Sequence, residues 1–203
     1  MDLMGSVEVS SGSSPHVTSL KESPDFLSAT RGVLVQGLSL LFELDDRKYS
    51  ELCSGSFQAS IGQHYRHVLE HFECLLFGMQ SGEIDYGQRE RNRRLETEVT
   101  YACIATCDVL RTLKRESGAN WYRNCRVRVS VGYETMQPSV VESNLARELV
   151  YCARHAIQHY TIIKMLCASE GIKVPAGFGI LAPTVTRSAP GFQPSVESAA
   201  VQA

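Results

Sequence analysis

The sequence predicts an all-α protein: a four-helix bundle with a small β-hairpin or extended crossover between its third and fourth helices. Three observations carry that reading. Four helix-length segments space their apolar residues by three and four, capping residues and glycine stops mark several of their ends, and only one short stretch alternates as a strand does. A chain of 203 residues has the length for one domain with tails.

The first helix starts near Pro24-Asp25, where Ser23 can cap the backbone and Pro24 suits the first helical position. Leu27, Val33, Leu34, Leu38, Leu41 and Phe42 form its apolar stripe, and Asp45-Asp46 ends it. The second opens at Ser60, with Gln63 three residues on to complete a capping box. It runs to about Met79 and carries Ile61, Tyr65, Val68, Phe72, Leu75 and Met79 on one side. The third runs from about Gln88 to Ser117, with a charged first half and Gly118 as its stop. Trp121-Tyr122 follows and is expected to plug an end of the bundle. The fourth starts near Ser143-Asn144 and continues to Gly171, a suitable C-terminal stop. Between the third and fourth, the run from Cys125 to Tyr133 alternates valine with polar residues, a strand signal. Residues 1–22 are rich in Ser, Gly and Val and lack a helical period, so a disordered tail is expected there. The bundle is expected over 23–185 and a flexible C-terminal tail over 186–203.

Composition excludes several classes. Twenty Lys+Arg against 22 Asp+Glu leave a net charge of -2, which argues against a nucleic-acid binder, since that role needs a strongly basic face. Leu40-Leu41-Phe42 is closed at once by Glu43, and no apolar run approaches the ~20 residues of a membrane span. The first residues lack a basic region followed by an apolar one, so no secretory signal is expected. The seven cysteines are odd in number and none form a C-x-x-C pair, which argues against a zinc ribbon or a thioredoxin-type motif. Reduced, structural thiols and a cytoplasmic location are the expectation.

The chemistry lies in the histidines. His155 and His159 are four apart on the fourth helix and project from one face, as two ligands of one ion must. His64, His67 and His71 are spaced three and four on the second helix and also share a face. At ~100° per residue, His67 lies roughly 135° from the apolar direction of its helix, His155 roughly 120° and His159 roughly 80°. They flank the seam, a position that suits a site at the mouth of a bundle and a solvated face equally. Three neutral imidazoles with an open position make a catalytic-type site for zinc, nickel or a similar divalent ion. His64 lies closer to the apolar stripe than His67 and is an alternative first ligand. Glu148, one helical repeat before His155, is a candidate hydrogen-bond acceptor for an imidazole or a general base, and equally a partner for an arginine of the third segment. Within Arg89-Glu90-Arg91-Asn92-Arg93-Arg94, Arg89 and Arg94 are candidates to hold an anionic substrate group, though such a run is more often a solvated face with pairs such as Glu90 with Arg94.

The stretch from Ser60 to Phe72, with His64, His67 and His71, resembles the second helix of the DinB-like superfamily. Arg154-His155-Ala156-Ile157-Gln158-His159-Tyr160 resembles that superfamily's H-x-x-x-H helix. Gly82-Glu83-Ile84-Asp85-Tyr86-Gly87-Gln88-Arg89 and Gly177-Phe178-Gly179-Ile180 resemble an uncharacterised subgroup, while Leu181 before Ala182-Pro183 departs from the usual ending. The resemblance covers roughly residues 25 to 185. It implies a four-helix bundle binding a divalent ion, zinc or nickel, through His67, His155 and His159. His64 and His71 would then orient a ligand or act as acid and base. It also implies metal-dependent thiol S-transfer or hydrolysis on a small molecule, since characterised relatives include thiol S-transferases and maleylpyruvate isomerase. The alternative is a non-catalytic bundle that binds metal or a partner, as a homodimer.

Overall fold

The computed structural model describes residues 25–53, 58–130 and 138–180. Both predicted tails, Ser23, and the end of the predicted strand from Val131 to Tyr133 lie outside the described residues.

Helix α1 spans Asp25–Leu41. Asp45-Asp46 then starts a helix as well as following one: the Asp45 side chain accepts from the Lys48 N–H at 2.8 Å and caps α2, Asp46–Ser50. Helix α3, Ile61–Ser81, opens on a reciprocal capping box in which Gln63 N–H donates to Ser60 at 3.0 Å and Ser60 N–H donates to Gln63 at 3.1 Å. Gly82, in the left-handed region at φ 76°, ends it.

The third predicted helix is not continuous. After α3 the chain forms strand β1, Glu83–Asp85, then an irregular stretch, then α4, Arg93–Thr97, and α5, Val99–Arg115. Asn92 caps α4. The break falls at Glu98, whose backbone is extended, and the first N–H of α5 is taken by a distant group: Val99 donates to the Asp46 carboxylate at 2.7 Å. A short 3-10 turn, Glu116–Gly118, leads to Trp121, which is buried and donates from its indole to the Glu116 carbonyl at 2.9 Å, whereas Tyr122 is exposed.

Strands β2, Asn124–Val129, and β3, Ser139–Asn144, complete a three-stranded sheet in the order β1-β2-β3. β1 runs parallel to β2, with Ile84 opposite Val127, and β3 runs antiparallel to it, with Val141 opposite Val127. Helix α6, Leu145–Ser169, follows directly, capped by the Asn144 side chain.

The all-α four-helix bundle predicted from sequence is therefore corrected: six described helices share the molecule with a three-stranded mixed sheet, a mixed α and β architecture. Only β2 has a legible period. β1 is three residues long, and β3 runs Ser-Val-Val-Glu-Ser-Asn with its first four residues exposed. Pairing through backbone N–H and C=O recruits such segments without any side-chain pattern.

The sheet belongs to the core. Ile84, Cys125 and Val127 are buried, and Gly78 lets α3 lie flush on β1: a Cβ there would stand 2.6 Å from the Ile84 side chain and 2.7 Å from the Glu83 carbonyl. Gly62 does the same at the other end of α3, where a Cβ would overlap the Glu96 carbonyl of α4. Helices α3 and α6 pack side by side through residues such as Tyr65, Leu69, Phe72, Ala156 and Tyr160, with Tyr65 stacked on Tyr160 at 6.2 Å. That packing sets one flank of α3 against one flank of α6. Among the described residues, no helix is long and apolar enough to cross a membrane. All seven cysteines are free.

Candidate metal centre

Packed side by side, α3 and α6 bring five imidazoles together. The ring centroids of His67 and His159 lie 4.6 Å apart, those of His155 and His159 4.6 Å, and those of His67 and His155 5.0 Å. One ring nitrogen from each of these three falls within 4.8 Å of the other two. All three side chains are half-buried.

Two further details test whether this donor set fits an ion. The His155 Nε2 is buried with no hydrogen-bond partner. An unpaired buried nitrogen costs about 1–3 kcal/mol, and coordination would remove that penalty. His159 has its Nδ1 engaged by His64 Nδ1 at 2.9 Å, so one ring nitrogen is held by a neighbour and the other is left to ligate. Three imidazoles are a borderline-soft set that suits zinc, nickel or a similar divalent ion. The residues fit the metal that the sequence points to.

The electrostatics agree with ligand duty. Burial pushes the His67 pKa down to about 3, reinforced by crowding against two other ionisable rings, His71 and His159, and by the Arg89 guanidinium. Burial with the same kind of neighbours pushes His155 and His159 down to about 4. Burial also pushes His71 down to about 4 and lowers His64. All five are therefore neutral near pH 7, the form in which an imidazole ligates.

The remaining predicted residues fall in different places. His64 holds His159, as described. His71 is buried, its Nδ1 hydrogen-bonds with the His67 carbonyl at 2.9 Å, and its ring lies 4.1 Å from that of His155. Glu148 is fully buried and takes no imidazole N–H. It accepts from Tyr86 at 3.0 Å and Ser143 at 2.6 Å, and pairs with Arg147 instead of an arginine of the third segment. Arg89 reaches the site from the irregular stretch after β1, its guanidinium hydrogen-bonded to His67 Nδ1 and 4.0 Å from Glu70. Arg94 does not join it. Its guanidinium makes two bonds to Glu98, at 2.9 and 2.8 Å, and covers the Tyr101 ring.

Three further neighbours of the histidines were not among the sequence candidates. Tyr86 stacks on His71 at 5.3 Å, Tyr151 stacks on His155 at 5.8 Å, and Glu70 is buried between Arg66, at 3.4 Å, and Arg89. Tyr151 stood four residues before His155, so helical spacing contained the signal. Glu70 stood four after Arg66 in the same way. Tyr86 lies in irregular chain and had no such mark. Glu70 and Arg89 also line a cleft of about 770 Å³ with Glu73, Cys74, Asp85 and Arg128 among others; none of the five histidines lines it.

No family model matches the chain. Among curated proteins it is similar to FK506-binding protein 5 of Rhizopus delemar, with 28% identity over 102 residues. That match covers 50% of this chain and 26% of the relative, so the chain spans about a quarter of the length of the protein it matches.

Proposed function

We propose that this protein binds one divalent ion, zinc or nickel, through His67, His155 and His159, and acts on a small molecule as a metal-dependent thiol S-transferase or hydrolase of the DinB-like kind. The observation that carries the reading is the convergence of three neutral imidazoles around a buried His155 nitrogen that has no other partner. An ion in such a set would supply Lewis acidity and lower the pKa of a water or thiol. The protein's own groups would do the rest. His64 holds the His159 ring in place, and one side is walled off by Tyr86 stacked on His71 and Tyr151 stacked on His155. Arg89, which touches His67, also lines the cleft, so a substrate held there would reach the ion past Arg89. Seven free thiols fit a cytoplasmic location, where they stay reduced.

Elemental analysis of protein prepared without chelators tests the reading first. One zinc or nickel per chain is expected, lost in His159→Ala with the fold retained by circular dichroism. Metal-free protein that also fails to take up zinc or nickel on titration would overturn it. Thiol-transfer and ester-hydrolysis assays on the loaded protein, with His159→Ala as control, then separate an enzyme from a protein that only binds the ion.

A further inference from the structure

We propose that Arg89 and the metal ion compete for His67, and that Glu70 is the seat to which metal loading sends the guanidinium; this rests on the metal-binding reading above. Arg89 touches the triad in the form seen here, hydrogen-bonded to His67 Nδ1. A guanidinium has five N–H donors and no acceptor, so Nδ1 must accept and His67 must carry its proton on Nε2. Neither way of binding a metal is compatible with that contact. If Nε2 ligates, the ring proton moves to Nδ1 and faces the arginine donor to donor. If Nδ1 ligates, the guanidinium stands where the ion belongs. The two cations also repel each other at such range.

The released arginine has a short way to go. Glu70 Oε2 lies 4.0 Å from Arg89 already, beyond hydrogen-bond reach. Glu70 is 3% exposed, and its Oε1 has no hydrogen-bond partner although Arg66 Nε stands 3.4 Å away. Its other oxygen, Oε2, is the one that faces Arg89, and it can take a charge-assisted bond once the guanidinium moves within reach. Arg89 is 26% exposed and sits in irregular chain, not in a helix, so its side chain can swing with little disturbance to α3 or α6. Glu70 and Arg89 both line the cleft, so the swing also changes its wall.

Because the guanidinium makes a charge-assisted hydrogen bond to His67 that the ion must displace, relieving the competition is expected to tighten metal binding about tenfold or more. The test is metal titration by calorimetry, with Co²⁺ absorption as a second readout, on the full chain, Arg89→Met, Glu70→Gln and the double variant, each checked for fold by circular dichroism. Arg89→Met is expected to bind zinc at least tenfold tighter than wild type. Glu70→Gln is expected to bind several-fold weaker, and that loss is expected to vanish in the Arg89→Met background. Equal or weaker binding by Arg89→Met overturns the competition while leaving the metal site standing. A Glu70→Gln loss that persists in the double variant overturns the role of Glu70 as seat. No binding by any folded variant, wild type included, overturns the metal reading and this inference together.

Discussion

Replacing His155 with Phe separates what the site costs the fold from what the metal returns. The His155 ring is packed against His71 at 4.1 Å and Tyr151 at 5.8 Å, and a phenyl ring can keep both contacts. It removes the buried Nε2 that has no partner. That nitrogen carries a penalty of about 1–3 kcal/mol. The phenyl is slightly larger, and overpacking takes back part of the gain. A net stabilisation of about 1 kcal/mol is expected for the metal-free protein, a rise of about 2–4 °C in Tm for a chain of this size. With metal the order reverses. A ligand at 100 times its Kd stabilises the native state by ~2.7 kcal/mol, and only the intact triad can receive it. Thermal melts of both proteins after chelator treatment, then with zinc or nickel, measure the two quantities. A metal-free His155→Phe that melts below wild type would refute the argument about the unpaired nitrogen. A metal-induced rise of equal size in both would refute the assignment of His155 as a ligand.

Other consequences are equally open to measurement. Glu148→Ala leaves the Tyr86 and Ser143 hydroxyls without their shared acceptor, so urea melts are expected to show a loss of about 1–3 kcal/mol, and a change under half that would contradict the anchoring role. Gly62→Ala drives a methyl into the Glu96 carbonyl of α4, a backbone group that cannot turn aside; a loss of about 1–3 kcal/mol is expected by the same assay. Stability of the metal-free protein should depend on acid in a defined direction. The four histidines pushed down to about 3 or 4 stay neutral in the native state while the unfolded chain takes up protons below about 6.5, so stability is full above that pH and falls as pH drops toward 4. A stability that is flat from pH 7 to pH 4.5 would contradict this.

What could be read in the sequence was what repeats along a helix. His155 and His159 are one turn apart on any α-helix, and the Ser60 and Gln63 capping box is a local contract between two side chains three residues apart. What could not be read was settled by distant partners. The third helix breaks at Glu98 where Asp46, 53 residues earlier, takes the Val99 N–H. Arg89 reaches His67 from 22 residues away through chain that has no period, and Glu148 finds Tyr86 from 62 residues away. The all-α expectation failed for the same reason: β1 and β3 are strands because β2 offers them backbone partners, and no pattern of their own announces it.

Strand β1 has only three residues and one neighbour, yet it is the point from which the chain departs toward the histidines. Its alignment with β2 works like a vernier. Ile84 points into the core opposite Val127, and two residues later Tyr86 meets both His71 and Glu148. A slip of one residue turns every side chain of a strand to the other face. Such a slip would expel Ile84 and carry Tyr86 and Arg89 out of phase with α3 and α6, leaving the five imidazoles in place but stripped of their covering. A single insertion at Glu83 or Asp85 is thus equivalent, for the surroundings of the centre, to changing several side chains at once.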